Sequence, residues 1–317
     1  MKVLKFGGTS VGSAQRIKEV AKLITDGERK IVVLSAMSGT TNTLVEISDY
    51  LYKKNPEGAN EIINKLESKY RQHIDELFAT PEYKQKGLEL IKSHFDYIRS
   101  YTKDLFTLFE EKVVLAQGEL ISTAMMNYYL QECGVKSVLL PALEYMRTDK
   151  NAEPDPVYIK DKLQVQLELH PDAEIYITQG YICRNAYGEI DNLQRGGSDY
   201  TASLIVAAIN ASEIQIWTDI DGMHNNDPRI VDKTAPVRHL HFEEAAELAY
   251  FGAKILHPTC LQPAKYANIP VRLLNTMDPT APGTLISNDT EKGKIKAVAA
   301  KDNITAIKIK SSRMLLA

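Results

Sequence analysis

The sequence predicts an α/β protein in which helices cover a parallel sheet, and the order of its first elements is the main reason. Residues 3–6 and 31–34 are short apolar runs with the length and composition of buried strands. A helical repeat of apolar residues, with Ile17, Val20 and Ile24 on one face, separates the two runs. Strands that alternate with helices are joined by crossover connections and therefore lie parallel in one sheet.

The alternation of strands and helices continues along most of the chain. Residues 57–112 are charged and tyrosine-rich with helical periodicity, which predicts a helical insertion at the sheet's edge or a lid over a site; its tyrosines are expected to be packing residues. A β-hairpin is predicted over 182–193. The other predicted strands are 138–140, 174–178, 213–218 and 271–274, and the other predicted helices are 44–52, 118–133, 200–210 and 242–251.

The C-terminal end departs from this pattern. Pro282-Gly283 and the polar stretch 287–294 interrupt it, and residues 304–309 then alternate as a new strand. We therefore expect a main domain over 1–293, followed at 294–317 by a linker and the start of a second domain.

Composition argues against several classes of protein. The chain has 317 residues and a net charge of −3, which gives no electrostatic reason to expect a nucleic-acid or membrane partner. Its three cysteines are far apart, as is typical of isolated thiols in a reducing compartment. The first apolar run is too short for a signal peptide, so we expect a cytoplasmic protein.

A glycine turn after the first strand is the strongest local signal for phosphate binding. In Lys5-Phe-Gly-Gly-Thr-Ser10, Gly7 and Gly8 would let backbone N–H groups approach a phosphate, next to the N-terminus of the following helix. Lys5 would add an ammonium group at the end of the strand. The motif is neither a Walker A loop nor G-x-G-x-x-G, so a Rossmann dinucleotide site is disfavoured. Ordinary turn chemistry remains an alternative.

A second glycine pair, in Arg195-Gly-Gly-Ser-Asp199, precedes a predicted helix. A guanidinium matches a carboxylate with two parallel hydrogen bonds, and Gly196 again permits close approach of the backbone. Ser198 and Asp199 could instead be helix-capping residues, and for Asp199 the two roles are compatible.

Polar residues follow other strands at the same edge of the predicted sheet, where ligands of open α/β sheets bind. Thr218 and Asp219 end one strand, with Asp227-Pro-Arg229 shortly after them; a surface turn is the alternative interpretation. Residues 35–41 offer hydroxyls, including Ser35 and Thr41.

Two charged residues are predicted at helix ends. Glu119 is expected in the first turn of a helix that Gly118 opens, where dipole complementarity alone would explain it. Lys254 is expected at the end of another helix. The seven histidines have no spacing typical of metal ligands, so no catalytic metal site is predicted, and no G-x-S-x-G elbow is present.

Together these motifs resemble the aspartate kinases (aspartokinases) of the amino-acid kinase family. The resemblance covers about residues 1–290 in the family's order, and the C-terminal 303–314 resemble the opening of the ACT-type regulatory domain. The matching motifs are Lys5-Phe-Gly-Gly-Thr-Ser-Val11, Ser35-Ala-Met-Ser-Gly-Thr-Thr-Asn42, Gly118-Glu119, Arg195-Gly-Gly-Ser-Asp199, Thr218-Asp219 with Asp227-Pro-Arg229, and Phe251-Gly-Ala-Lys-Ile-Leu-His-Pro258.

The resemblance implies a three-layer α/β/α fold of the carbamate kinase type, with a mainly parallel sheet, ATP over one half of its edge and L-aspartate over the other. It implies catalytic roles for Lys5, Asp199 and Lys254. Residues implied to bind the nucleotide are Lys5, Gly7, Gly8, Thr218, Asp219, His224, Arg229, Lys254 and Ile255. Residues implied to bind aspartate are Ser35, Thr41, Glu119, Arg195, Gly196 and Ser198. Two positions differ from the family pattern: His224 stands where tyrosine is usual, and Gln194 where glycine is usual.

The implied reaction suits these residues. An aspartate side chain, with a reference pKa near 3.9, is already ionised at neutral pH, so it attacks without a general base. The reaction needs charge neutralisation and in-line positioning, supplied by the lysines, backbone N–H groups and Mg²⁺ carried on ATP. The product, 4-phospho-L-aspartate, would enter lysine, threonine and methionine biosynthesis, and a homodimer is expected for the full-length form.

Three alternatives remain at this point. The chain could phosphorylate acetylglutamate, glutamate or a nucleoside monophosphate on the same fold. It could be a sensor that binds ATP or amino acids without turnover. The full protein could carry only regulatory domains or be fused to a homoserine dehydrogenase.

Overall fold

The computed structural model describes residues 1–193, 196–227, 230–251, 256–289, 295–300 and 305. Its strands are β1 (Lys2–Phe6), β2 (Lys30–Leu34), β3 (Ser137–Leu140), β4 (Ile175–Gln179), β5 (Ile182–Arg184), β6 (Ile190–Asn192), β7 (Ile214–Thr218), β8 (His239–His241), β9 (Val271–Asn275) and β10 (Thr284–Ser287). Its α-helices are α1 (Ala14–Ile24), α2 (Thr40–Tyr52), α3 (Pro56–Leu77), α4 (Pro81–Ser100), α5 (Leu108–Glu132), α6 (Ala142–Tyr145), α7 (Pro156–Glu168), α8 (Gly197–Ile209), α9 (Phe242–Phe251) and α10 (Gln262–Tyr266), with a 3₁₀ turn at Pro258–Leu261.

The main sheet has the strand order β3-β4-β2-β1-β7-β9-β10-β8. Its neighbours are parallel except for β9 and β10, which are antiparallel. The exception follows from the connection: only residues 276–283 join β9 to β10, too few for the crossover that parallel strands need. The mainly parallel sheet predicted from the sequence is confirmed.

Helices cover both faces of the sheet, which makes the fold three-layered as expected. Val3, Ile31 and Val33 face one core, while Phe6 and Val32 face the other. Alternate residues of a strand point to opposite faces, so a strand covered on both sides is mainly apolar. This is why the central strands appear in the sequence as mainly apolar runs, with polar exceptions such as Lys5 in β1 and Gln215 in β7.

Helix α5 differs from its prediction, and the difference matters for the site. It begins at Leu108 rather than near Gly118, because Thr107 and Glu110 form a capping box with a Thr107 N to Glu110 Oε2 distance of 2.8 Å. Glu119 therefore lies in the middle of the helix, and the explanation of this residue by the helix dipole is wrong. Gly118 has a packing role instead, since a Cβ there would lie 2.7 Å from that of Ala36.

Other elements match their predictions to different degrees. The helical insertion is confirmed as α3 and α4, and the hairpin as β5 and β6. Helix α8 starts three residues before its predicted start of residue 200, with Gly196 as its N-cap, so Ser198 and Asp199 lie in its first turn and are not caps. The new strand predicted at 304–309 lies almost wholly outside the described residues. No helix in the described part of the chain is both long and apolar enough to cross a bilayer.

Candidate active site

The carboxyl ends of five parallel strands meet at one edge of the sheet. β1 lies between β2 and β7, with β4 beyond β2 and β9 beyond β7. Phe6 pairs with both Leu34 and Trp217, which brings the loops after these strands side by side. Such an edge is where parallel α/β sheets bind their ligands.

An ion pair lies at the centre of this edge. The Lys5 Nζ atom is 2.7 Å from Oδ1 of Asp199, and the two side chains are only 11% and 15% exposed. Lys5 comes from the end of β1 and Asp199 from the first turn of α8. A Cβ on Gly7 would lie 3.6 Å from the lysine Nζ, so the ammonium group lies beside the glycine turn. The pair thus fixes one positive charge where a phosphate could approach it.

The glycine turn itself is packed tightly against the loop after β2. A Cβ on Gly8 would lie 2.7 Å from the carbonyl oxygen of Ala36, and the Ser38 N–H donates to the Gly8 carbonyl at 3.1 Å. On the other side of the turn, the Ser10 and Thr276 hydroxyls are 2.7 Å apart and buried. Gly8 is therefore needed for backbone packing, whatever contact it makes with a ligand.

Helix α8 also contacts the loop after β2. The Ser35 hydroxyl donates to the Ser198 hydroxyl at 2.9 Å, and the Ser35 N–H donates to the carbonyl of Phe6 at 3.2 Å. The first turn of α8 therefore reaches both β1, through Asp199, and the β2 loop, through Ser198.

Glu119 is the most unusual charged residue of this edge. Its side chain is buried, with the residue 4% exposed. Oε1 accepts a hydrogen bond from the Ala36 N–H at 3.1 Å, whereas Oε2 has no partner among the described residues. Burial raises the pKa of this carboxyl to about 7, although the Ala36 N–H acts in the opposite direction. A buried carboxylate oxygen without a partner requires an explanation, and a cationic ligand would supply one.

Tyr181, which the sequence interpretation did not single out, lies on the same side as Glu119. Its backbone has a φ of +69°, a region that bulky residues rarely adopt. A hydrogen bond of 2.9 Å from its N–H to the Thr201 hydroxyl holds this conformation, and its ring is 3.6 Å from where a Cβ of Gly197 would lie. Burial, followed by the charge of Glu119, raises the pKa of Tyr181 to about 12. The backbone strain at Tyr181 could not be predicted from the spacing of residues in the sequence.

Loops after β7 form the other side of the edge. The Thr218 hydroxyl accepts from the Ile220 N–H at 3.3 Å and closes a tight turn that includes Asp219. His224 lies further along, with Nδ1 2.8 Å from the Thr234 hydroxyl. The Met223 N–H donates to the Thr284 hydroxyl at 2.8 Å, which ties this loop to the start of β10.

The structure brings most of the predicted site residues that it describes to this single edge; His224 lies further along the loop after β7, and Thr41 is a partial exception. Thr41 is on the first turn of α2 but is exposed, whereas its neighbour Thr40 is buried. The residues brought together are Lys5, Gly7, Gly8, Ser35, Glu119, Gly196, Ser198, Asp199, Thr218 and Asp219. Arg195, Arg229, Lys254 and Ile255 lie outside the described residues.

Comparisons with known proteins agree with this architecture. The sequence profile of the amino acid kinase family matches residues 1–275. Aspartokinase 1, chloroplastic, from Arabidopsis thaliana is 36% identical over 99% of this chain, which spans 57% of that protein. Lysine-sensitive aspartokinase 3 from Escherichia coli (strain K12) is 34% identical, again over 99% of this chain and 70% of that protein.

A solved structure resembles the fold as well. The crystal structure of E. coli aspartokinase III in complex with aspartate and ADP superposes with a TM-score of 0.83 at 33% identity, over 92% of this chain and 65% of that one. The chain thus spans less than two thirds of the length of several relatives it matches.

Proposed function

Because the chain belongs to the amino acid kinase family and groups with its aspartokinases, we propose that it is a phosphotransferase acting on the side-chain carboxylate of L-aspartate. The γ-phosphoryl group would come from ATP. One observation carries the proposal: a fixed ammonium beside a glycine turn and a buried, half-paired carboxylate lie at the same sheet edge.

The half of the edge formed by β1, β7 and β9 takes the nucleotide. Lys5 contacts the phosphates of ATP, and the N–H groups of Gly7 and Gly8 add hydrogen bonds to them. ATP enters with its Mg²⁺, which neutralises further phosphate charge. Thr218, Asp219, His224, Arg229, Lys254 and Ile255 surround the rest of the nucleotide. The ADP bound by E. coli aspartokinase III supports a nucleotide site on this fold.

The half formed by β2, β4 and α5 takes the acceptor. Glu119 Oε2, which has no partner within the described part of the chain, accepts a hydrogen bond from the ammonium group of aspartate. Ser35, Thr41, Gly196 and Ser198 contact the remaining polar atoms, and Arg195 binds a carboxylate. Aspartate in the E. coli complex supports an acceptor of this class.

The chemistry requires few proton movements. The acceptor carboxylate is ionised at neutral pH, so one of its oxygens attacks the γ-phosphorus directly. A new P–O bond forms while the bond to the β–γ bridging oxygen breaks, and ADP leaves with that electron pair. Lys5 and Lys254 offset the charge that develops on the transferred group, and Asp199 holds the Lys5 ammonium in place.

The wider context of the reaction is also a proposal. The product would be 4-phospho-L-aspartate, a precursor of lysine, threonine and methionine, formed in the cytoplasm. Residues 1–293 would be the catalytic domain and 294–317 a linker and the start of an ACT-type domain. The full-length protein would be a homodimer. Light scattering of the full-length protein would test the last point.

A coupled assay of ADP release tests the activity. Purified protein is incubated with Mg·ATP and L-aspartate, L-glutamate or no acceptor, and hydroxylamine traps any acyl phosphate as a hydroxamate. We expect ADP and hydroxamate in equal amounts with aspartate only. ADP release independent of the acceptor, or equal rates with glutamate, would contradict the proposal, and aspartate binding without ADP would indicate a sensor.

A further inference from the structure

A buried pair of hydroxyl groups joins the helical insertion to the acceptor half of the site. Tyr70 on α3 is 1% exposed and Thr40, the first residue of α2, is 2% exposed. The Tyr70 hydroxyl oxygen lies 2.8 Å from Oγ1 of Thr40. Thr40 directly follows the loop 35–39, whose Ala36 N–H binds Glu119.

Thr40 is held from two further directions. Its N–H donates to the carbonyl of Met37 at 3.0 Å, which closes the loop after β2. Its methyl group is 3.3 Å from where a Cβ of Gly118 would lie, next to Glu119 on α5. A displacement of Thr40 would therefore move the loop that supplies the Ala36 N–H.

Packing alone does not explain the two hydroxyls. Tyr70 belongs to a core of apolar side chains, and its ring lies 5.9 Å from that of Phe95. Phenylalanine at 70 and valine at 40 would fill this space without burying polar atoms, which are costly to desolvate. The hydroxyl pair adds direction to the contact, because a hydrogen bond fixes α3 and α2 at one relative position.

Glu119 is close enough to affect Tyr70 electrostatically. Burial is the largest cause that raises the pKa of the Tyr70 hydroxyl, the hydrogen bond with Thr40 lowers it, and the negative charge of Glu119 raises it further. The hydroxyl pair, the β2 loop and the buried carboxylate are thus parts of one connected polar cluster.

We propose that Tyr70 is a positioning residue for acceptor binding: through Thr40 it holds the β2 loop so that the Ala36 N–H keeps Glu119 aimed at the acceptor's ammonium group. The inference rests on the proposed function and extends it. It assigns acceptor affinity partly to the helical insertion, which contributes none of the predicted site residues.

Tyr70→Phe tests this by removing one oxygen atom and preserving the ring. We expect the KM for aspartate to rise about five- to tenfold, the effect of losing one buried hydrogen bond that organises a charged site. The KM for ATP and kcat should change less than about twofold, because the β1 turn is untouched. Thr40→Ser, which keeps the hydroxyl, should stay near wild type, and Thr40→Val should resemble Tyr70→Phe.

Tyr145→Phe is the matched control. The Tyr145 hydroxyl is also buried and lies 2.6 Å from that of Thr178, but in the core on the other face of the sheet. The Tyr145→Phe variant should lower the thermal midpoint as Tyr70→Phe does and leave the KM for aspartate unchanged. In the double variant of Tyr70→Phe and Thr40→Val, the effects on KM should not add, because both remove the same bond.

The outcomes separate this inference from the proposed function. Suppose that the wild type is active, that Tyr70→Phe keeps the KM for aspartate within twofold of it, and that only the thermal midpoint falls. The hydroxyl pair would then be purely structural, and the inference alone would be overturned. A wild type without aspartate-dependent ADP release would overturn the proposed function and the inference together.

Discussion

The two halves of the site edge are built in different ways. The half proposed to bind the acceptor, formed by the loops after β2 and β4 with α5, is backed by α3 and the large apolar core on its face of the sheet. Its key group, Glu119, is almost inaccessible to water. The half proposed to bind the nucleotide, formed by the loops after β7 and β9, includes partly buried polar groups such as Asp221 and His224. It is held by hydrogen bonds that involve the Thr284 hydroxyl and the Gly283 N–H.

The difference suggests a division of roles. A buried, rigid half suits recognition of a small charged acceptor, because each polar atom there must find a partner or remain desolvated. A half made of turns suits a large, flexible, highly charged nucleotide, since backbone N–H groups can follow its phosphates. Substitutions should therefore affect acceptor binding and nucleotide binding unequally, apart from those at the ion pair between the halves.

Lys5→Ala should have the largest effect. Removing the ammonium group takes away charge stabilisation in the transition state, and we expect kcat to fall about 10³-fold. Circular dichroism should show an intact fold. Arg272→Ala, which breaks an ion pair of 3.2 Å with Glu213 at the opposite edge of the sheet, is the control and should leave kcat near wild type. Near-normal turnover by Lys5→Ala would contradict a role for the Lys5 ammonium group in phosphoryl transfer.

Glu119→Gln should act on the acceptor half alone. We expect the KM for aspartate to rise about 10- to 100-fold, the usual result of losing a charged hydrogen-bond partner, with little change in the KM for ATP. A change in ATP affinity of the same size would contradict the division of roles.

The same carboxyl predicts the pH dependence of acceptor binding. With a pKa of about 7, Glu119 must lose its proton to bind an ammonium group. The KM for aspartate should therefore rise about tenfold from pH 8 to pH 6. Stability should change in the opposite direction: the folded pKa is raised, so folding is favoured at low pH and loses stability as pH rises from about 4.5 to about 7. Glu119→Gln should abolish both dependences.

His73 in the insertion tests how strongly α3 supports the acceptor half. Neither ring nitrogen has a hydrogen-bond partner in the described part of the chain, and burial, then Lys69, lowers the pKa of His73 below 6.5. Protonation thus favours the unfolded chain. The stability that is present above pH 6.5 is lost as the pH falls through the pKa of the folded state. His73→Leu should make the loss of unfolding free energy as pH falls below 6.5 smaller than in the wild type, as measured in urea titrations.

His170→Gln, which replaces an exposed histidine, provides the reference variant for this measurement. If the unfolding free energy of His73→Leu and of the wild type depended on pH in the same way, the stability of the insertion would not depend on the protonation of His73.

His224→Ala should have the smallest effect. The side chain is partly exposed and contacts the Thr234 hydroxyl through one hydrogen bond of 2.8 Å, so we expect the KM for ATP to change less than about threefold. His224→Tyr, which introduces the residue usual at this position in the family, should be equally mild. A tenfold change in either variant would show that the nucleotide half depends on a specific side chain.

Sequence patterns predicted the fold best for strands that are buried on both faces of the sheet. The run that became β2 is apolar from residue 31 to residue 34, and the run that became β1 is apolar apart from Lys5, because helices cover both faces of the sheet. Strand β8, at one edge of the sheet, and its neighbour β10 were not predicted, since strands this short and half-buried depend on pairing with distant segments. The start of α5 could have been predicted, because Thr107 and Glu110 have the spacing of a capping box.

The order and periodicity of elements by themselves determined a parallel sheet and indicated which loops lie at its carboxyl edge, since both follow from local geometry and the handedness of crossovers. Tertiary structure alone decided that Lys5 meets Asp199, that Glu119 is buried with one oxygen that has no partner among the described residues, and that Tyr70 reaches Thr40. These contacts join segments far apart in the chain. They depend on how whole helices pack against the sheet, which no local repeat encodes.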